Sequence, residues 1–147
     1  MRITTETDPS LEEVEVIIRC ASRTDQEARR IYAALESADA KLWGIREGER
    51  CRLPAQTVLY IESVDRRTFL YTAEDSYETE KKLYELEAFL TGSTFFRVSK
   101  PMLVNLNRVR SVRPEVGGRL LLTMENGERI VVSRQFAPSI KSALEVL

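Results

Sequence analysis

Two places in this sequence set a small hydroxyl residue against a long cation at the end of an apolar run: Phe95-Phe96-Arg97-Val98-Ser99-Lys100 and Val131-Val132-Ser133-Arg134. Side chains alternate across a strand, so polar residues that close such a run stand at the rim of a β-structure rather than along a helical face. A third pair, Arg66-Arg67, follows Val64-Asp65 between two strand-like stretches. Arginine and lysine at such tips can bond guanine O6 and N7 or neutralise phosphates, and either role is open to each of them. Each also has a plainer reading. Arg134 could pair with an acidic neighbour, Lys100 could be ordinary surface before Pro101, and Arg66 and Arg67 could be no more than a charged hairpin tip.

Composition narrows the other chemistries. The 147 residues include no histidine, which removes Ser-His-Asp and Cys-His catalysis, histidine-ligated zinc and histidine phosphotransfer. The 23 acidic residues are scattered among 22 basic ones without a recognisable acid/base or metal pairing. Cys20 and Cys51 lie far apart and fit no metal or redox spacing, so both are expected to be small core residues. The expectation is a non-enzyme with no cofactor and no metal. There is no signal-like or membrane-spanning apolar run, which points to a cytoplasmic protein.

A net charge of −1 conceals an uneven distribution. Met1 to Asp65 holds 9 basic and 13 acidic residues, whereas Arg66 to Leu147 holds 13 and 10. Between Ser93 and Arg119 there are 6 basic residues (Arg97, Lys100, Arg108, Arg110, Arg113, Arg119) and 1 acidic residue, Glu115. Such a concentration supplies a local phosphate-binding field in a nearly neutral chain.

The elements that must position these residues follow from periodicity. Glu13 to Arg19 alternates as a strand with one buried face. Thr24 is the expected N-cap of a helix, with Glu27 as its capping-box partner and Ala28, Ile31, Tyr32, Leu35 and Ala38 on one face. Lys41 to Arg46 then turns through Glu47-Gly48-Glu49 into Arg50 to Leu53, giving a small β-α-β unit and a hairpin over residues 1–52. Trp43 is either core or interface. From Thr57 onward short strands dominate: Val58 to Ser63, Thr68 to Thr72, one around Tyr77, Phe95 to Val98, Val109 to Arg113, Leu120 to Met124 and Arg129 to Val132. Asn126-Gly127 predicts a tight hairpin turn. Leu83, Leu86 and Leu90 keep helical spacing up to Gly92 as C′ residue, and Ser133 is the expected cap of a C-terminal helix.

Read together, Val58-Leu59-Tyr60-Ile61-Glu62, Phe95-Phe96-Arg97, Val104-Asn105, the Asn126-Gly127 turn and Ser133-Arg134 resemble the LytTR family of bacterial transcription regulators from Leu53 to Leu147. The resemblance implies an α+β fold: a β-rich domain over 53–147 of short, mostly antiparallel strands with one or two short helices, preceded by the β-α-β unit of 1–52. That unit is too short for a phosphoacceptor receiver domain, so a stand-alone member is expected, with the unit packing or dimerising. The resemblance also implies sequence-specific binding of double-stranded DNA at paired half-sites by a homodimer. By position it assigns DNA contacts to Arg66, Arg67, Ser99, Lys100 and Arg134. Arg97 and Arg108 are candidate phosphate contacts, Arg97 with a structural alternative. Asn105 is expected to satisfy a turn backbone with its amide rather than to touch DNA. Many members carry His, a polar residue and Ser where this chain has Ser99-Lys100-Pro101, which leaves the place of contact intact and the preferred base open. The competing reading is a protein-interaction module of the same fold, controlled by a small inhibitory membrane protein and without direct DNA binding.

Overall fold

A computed structural model describes residues 1–146. Helix α1 spans Gln26–Ala38 and is followed by strands β1 (Lys41–Arg46) and β2 (Glu49–Pro54). Next come β3 (Val58–Val64), β4 (Arg67–Thr72), β5 (Ser76–Thr79), helix α2 (Leu83–Phe89), β6 (Phe95–Ser99) and β7 (Met102–Asn105). The chain closes with β8 (Val109–Pro114), β9 (Leu120–Met124), β10 (Arg129–Val132) and α3 (Ala137–Val146). Seven strands form one sheet in the order β2-β1-β5-β4-β3-β7-β6, and three form a second in the order β10-β9-β8. Every pairing is antiparallel. The α+β architecture expected from the sequence is the one found.

The hydrophobic pattern explains the layering. Val58 to Ile61 is buried four residues running because β3 is covered on both faces. Val58 and Ile61 join Leu70, Leu83, Leu86, Leu90, Phe95 and Leu103 in a core that includes α2. Leu59 and Tyr60 join Val98, Val104, Leu122, Met124, Val132 and Ile140 in a second core, shared with the three-stranded sheet and α3. A register irregularity between Val58 and Tyr60 lets two sequence neighbours reach the same core. Burying each of these large aliphatic side chains contributes roughly 1.5–3 kcal/mol.

The hairpins follow local turn chemistry. Val64 pairs with Arg67 across Asp65 and Arg66, whose φ values are 50° and 65°, the backbone of the two-residue turn that matches strand twist. The turn at Asn126-Gly127 is closed by Gly127 N donating to Met124 O at 2.9 Å. At Gly44 the requirement is space: a Cβ there would stand 2.6 Å from the Cβ of Tyr77, so a side chain would force β1 away from β5.

Several expectations are corrected. Glu13 to Arg19 has the alternation of a strand but forms none, because among the described residues no neighbouring strand supplies its backbone partners. Asp25 replaces Thr24 as the cap of α1: its Oδ1 accepts from Ala28 N at 3.1 Å, while the Thr24 hydroxyl lies 2.8 Å from that of Ser22. Gly92 lies two residues beyond the C-cap Leu90 of α2. Helix α3 starts at Ala137 rather than after Ser133, since a turn intervenes in which Phe136 N and Ala137 N both donate to Ser133 O at 3.0 Å. Pro138 then occupies the first helical turn, where its missing N–H breaks no bond. Cys20 is exposed and Cys51 half-buried, so neither belongs to the core. Among the described residues no helix is long and apolar enough to cross a membrane.

Candidate nucleic-acid interface

Strand order brings the predicted tips to one end of the molecule. β7 runs antiparallel to both β6 and β3, with Ser99 and Glu62 each opposite Met102. The β6–β7 turn therefore arrives beside the β3–β4 turn, and Ser63 N donates to Pro101 O at 2.8 Å. The end of β10 meets the end of β6 through Ser133 N to Val98 O, 2.9 Å. Two backbone hydrogen bonds thus tie the Arg66 tip, the Ser99-Lys100 turn and the Arg134 turn into one rim.

The cations on that end differ in how they are occupied. Arg66, Lys100 and Arg134 are exposed and, among the described residues, hold no hydrogen bond or ion pair through their side chains. The stem of Arg134 lies over the β8–β9 turn, where a Cβ on Gly118 would stand 3.3 Å from Arg134 Cγ. Arg67 is engaged: Nε and Nη2 donate to the Glu78 carboxylate at 2.9 and 2.6 Å, and the guanidinium sits 5.2 Å from the centroid of the Phe69 ring. The hydrogen bonds from Arg67 hold the Glu78 carboxyl below the usual carboxylate range, and the carboxylate in turn raises Arg67.

Arg97 and Arg108 also have internal partners. Arg97 donates from Nε and Nη2 to Glu87 at 2.9 and 3.3 Å and from Nη1 to the Lys100 carbonyl, so it braces the turn that presents Lys100. Arg108 donates to Gln56 O at 2.8 Å and to Glu125 at 3.2 Å. It lies at the far end of the small sheet: β8 begins beside it with Val109 opposite Met124, whereas Arg134 follows Val132, which is opposite Leu120. The structure therefore brings Arg66, Ser99, Lys100 and Arg134 together, places Arg67 and Arg97 behind them in ion pairs, and leaves Arg108 elsewhere.

Asn105, 1% exposed, works as the sequence suggests. Its amide nitrogen donates to Val58 O at 3.1 Å, and its oxygen accepts from the Thr94 hydroxyl at 2.6 Å and from Asn107 N at 3.2 Å. Sequence reasoning passed over a hollow beside Ser99 lined by Tyr60, Glu62, Tyr71 and Arg129. The two tyrosine rings stack there at 4.7 Å, and burial raises both phenols, with a hydrogen bond from Asn126 opposing the shift at Tyr60. Arg129 could have been found from its outward place in the alternation of β10. The hollow itself had no local signal, since it joins β3, β4, β6, β7 and β10.

Comparison with known proteins agrees with this fold. The family model described as the LytTr DNA-binding domain matches residues 48–145. The LytTr DNA-binding domain of a putative methyl-accepting/DNA response regulator from Bacillus cereus superposes with a TM-score of 0.68 at 26% identity, over 72% of this chain and 97% of that one. The sensory transduction protein LytT of Bacillus anthracis is 28% identical over 91 residues, which are 62% of this chain and 37% of LytT. The transcriptional regulatory protein YpdB of Escherichia coli K12 is 30% identical over 73 residues, 50% of this chain and 30% of YpdB. The aligned part is thus only 37% and 30% of the length of these two relatives.

Proposed function

Because this chain belongs to the LytTR DNA-binding domain family through residues 48–145, we propose that it is a sequence-specific DNA-binding transcription regulator that grips duplex DNA with the rim of Arg66, Ser99, Lys100 and Arg134. The observation that carries this reading is the occupancy of the cations. Three connections from distant parts of the chain deliver unpaired charges to one end, while neighbouring arginines are held by carboxylates and carbonyls. A cation that already has a hydrogen-bonded carboxylate must give it up to take a phosphate; an unpaired one has only water and counterions to release. Arg134, with its stem packed on Gly118, has the more restricted guanidinium and is assigned to base reading. Lys100 and Arg66 are assigned to phosphates, and Ser99 to a hydroxyl contact beside them. Arg67 and Arg97 position the tips, and Arg108 belongs to the framework.

The likeness to YpdB, a transcriptional regulatory protein, and to LytT, a sensory transduction protein, supports a regulatory output. A homodimer on paired half-sites fits the small size of a single reading rim, since one module buries too little surface for high specificity. Residues 1–52 are assigned to packing or to that dimerisation.

The test is binding of folded Arg134→Ala and Lys100→Ala proteins to a panel of selected operators at two salt concentrations. Arg134→Ala is expected to lose about 1–3 kcal/mol and its preference at one operator position. Lys100→Ala is expected to weaken every sequence alike and lower the salt slope by about one unit. Unchanged affinity and base preference in both proteins would eliminate the rim as a reading surface.

A further inference from the structure

The N-terminal segment leaves aliphatic side chains bare. Val14, Val16 and Ile17 are 91%, 59% and 74% exposed, and Glu13 to Arg19 makes no backbone hydrogen bond among the described residues. Alternation nevertheless divides the segment into two faces, Val14, Val16 and Ile18 on one and Glu13, Glu15, Ile17 and Arg19 on the other. At the same time the seven-stranded sheet ends on β2, whose outer edge is unpaired among the described residues. A six-residue edge with free backbone groups is a template for one more strand.

We propose that residues 13–19 form this strand on the β2 edge of a second copy of the chain, antiparallel, with Val14 opposite Leu53, Glu15 opposite Arg52, Val16 opposite Cys51 and Ile17 opposite Arg50. The inference rests on the homodimer of the preceding section and identifies its interface. The register matches both faces. Cys51 and Leu53 are half-buried opposite Gly44 and the buried Leu42, so Val14 and Val16 extend a half-buried surface that borders the core through Leu42 and Leu53. On the other face Glu15 opposes Arg52, with Glu13 on the diagonal, and Arg52 is exposed and has no ion pair among the described residues. Arg50 there reaches Glu80 at 3.5 Å, and Trp43, 54% exposed, lies opposite Arg52.

The remaining edges fit less well. β6 and β10 lie against each other through Ser133 and Val98. β8 has a register irregularity between Val109 and Ser111, and from Arg110 to Pro114 it is exposed on both faces, so it offers no half-buried surface to extend. The occupant is the second copy rather than the same chain because of how the segment leaves α1. Asp25 N donates to Ser22 O at 3.1 Å and Arg29 Nε to Arg23 O at 3.2 Å, closing the turn before α1, and within its own chain the segment stays bare, with Val14 91% exposed and no backbone hydrogen bond to β2 among the described residues. Exchange between two copies is reciprocal, each giving one strand and receiving one, and the resulting two-fold contact closes on itself.

A disulfide trap tests the register and the partner together. The full chain carrying Cys20→Ser and Val16→Cys is treated with a mild oxidant such as diamide, which takes up the two electrons and two protons released as the thiols at 16 and 51 join. Opposed residues of an antiparallel pair lie within disulfide reach. The expected product is a covalent dimer whose linkage maps to positions 16 and 51 and which disappears when Cys51→Ser is added. A 16–51 bond within one chain, a dimer that survives Cys51→Ser, or no bond would overturn the proposal. Without oxidant, Val16→Asp, placed on an exposed residue outside the cores, is expected to convert a wild-type dimer to monomer in light scattering. A monomeric wild type, or a Val16→Asp protein that stays dimeric, would also overturn it. A linked dimer that ignores DNA would remove the functional reading and leave this interface standing; a monomer that binds operators would remove this interface and the homodimer and leave DNA binding by the rim.

Discussion

Two sets of arginines in this molecule share a residue type and differ in what they touch. At the rim, Arg66 and Arg134 are exposed and unpaired among the described residues. Arg67 and Arg97 behind the rim, and Arg108 at the far end of the small sheet, each hold a carboxylate, at 2.6, 2.9 and 3.2 Å respectively. The difference is one of available hydrogen bonds. A guanidinium whose N–H groups are already fixed by Glu78, Glu87 or Glu125 orients strands and turns, whereas one with only water around it is available to a phosphate or a base edge. The paired set supports the unpaired one: Arg97 braces the Lys100 carbonyl and so holds the turn that presents Lys100.

The comparison breaks most visibly at the framework. Asn105→Ala would strip the Val58 carbonyl and the Thr94 hydroxyl of a buried partner, and each loss costs roughly 1–3 kcal/mol. We expect stability to fall by about 3 kcal/mol in urea unfolding, with operator affinity of the folded fraction retained; a loss of affinity with wild-type stability would place Asn105 on the reading surface. Arg97→Ala sharpens the contrast with Arg134→Ala. Its side chain is 19% exposed and that of its partner 44%, so after allowance for solvent screening the ion pair and the carbonyl bond together are worth about 1–2 kcal/mol of stability. Base preference should not change in this variant. A relaxed preference at one operator position, as expected of Arg134→Ala, would move Arg97 into the reading set.

Arg66 supports an opposite expectation. Its φ of 65° is a left-handed conformation that costs a non-glycine residue about 1 kcal/mol or more. Arg66→Gly should leave stability unchanged or raise it by up to about 1 kcal/mol while weakening DNA binding. Measured unfolding and binding that fall together would show that the arginine holds the hairpin instead. The smallest effect belongs to Arg67 and Glu78. The folded-state carboxyl of Glu78 lies below its unfolded value, so its contribution is present above the ordinary carboxylate range and is lost as pH falls through the lowered value. Both side chains are substantially exposed, and the acid-side slope of stability should flatten only slightly in Glu78→Gln.

Much of the framework could be read locally. Lys41–Arg46 and Glu49–Pro54, the strands around the Asn126-Gly127 turn, and the Leu83-Leu86-Leu90 helix all lie where alternation, turn residues and helical spacing put them. Turn chemistry and periodicity act within a few residues, so one chain segment carries the whole signal. Helix starts were less legible. Thr24 and Asp25 are both competent caps, and in the fold Asp25, next to the first helical residue Gln26, takes the Ala28 N–H while the Thr24 hydroxyl lies against that of Ser22. Ser133 has the chemistry of a cap but lies where the chain still has to leave β10.

By itself the sequence determined the strand-rich α+β character, the hairpins, the absence of histidine chemistry and the list of cations at strand ends. Tertiary structure decided which cations are bare: Glu87, Glu78 and Glu125 are 10, 11 and 17 residues from the arginines they hold, and no local pattern announces those pairs. It also decided that Glu13 to Arg19, a strand by alternation, stands unpaired. A strand is completed by hydrogen bonds to another segment, and a charge is free or engaged according to what the fold brings beside it. Both are properties of distant neighbours rather than of the residues themselves.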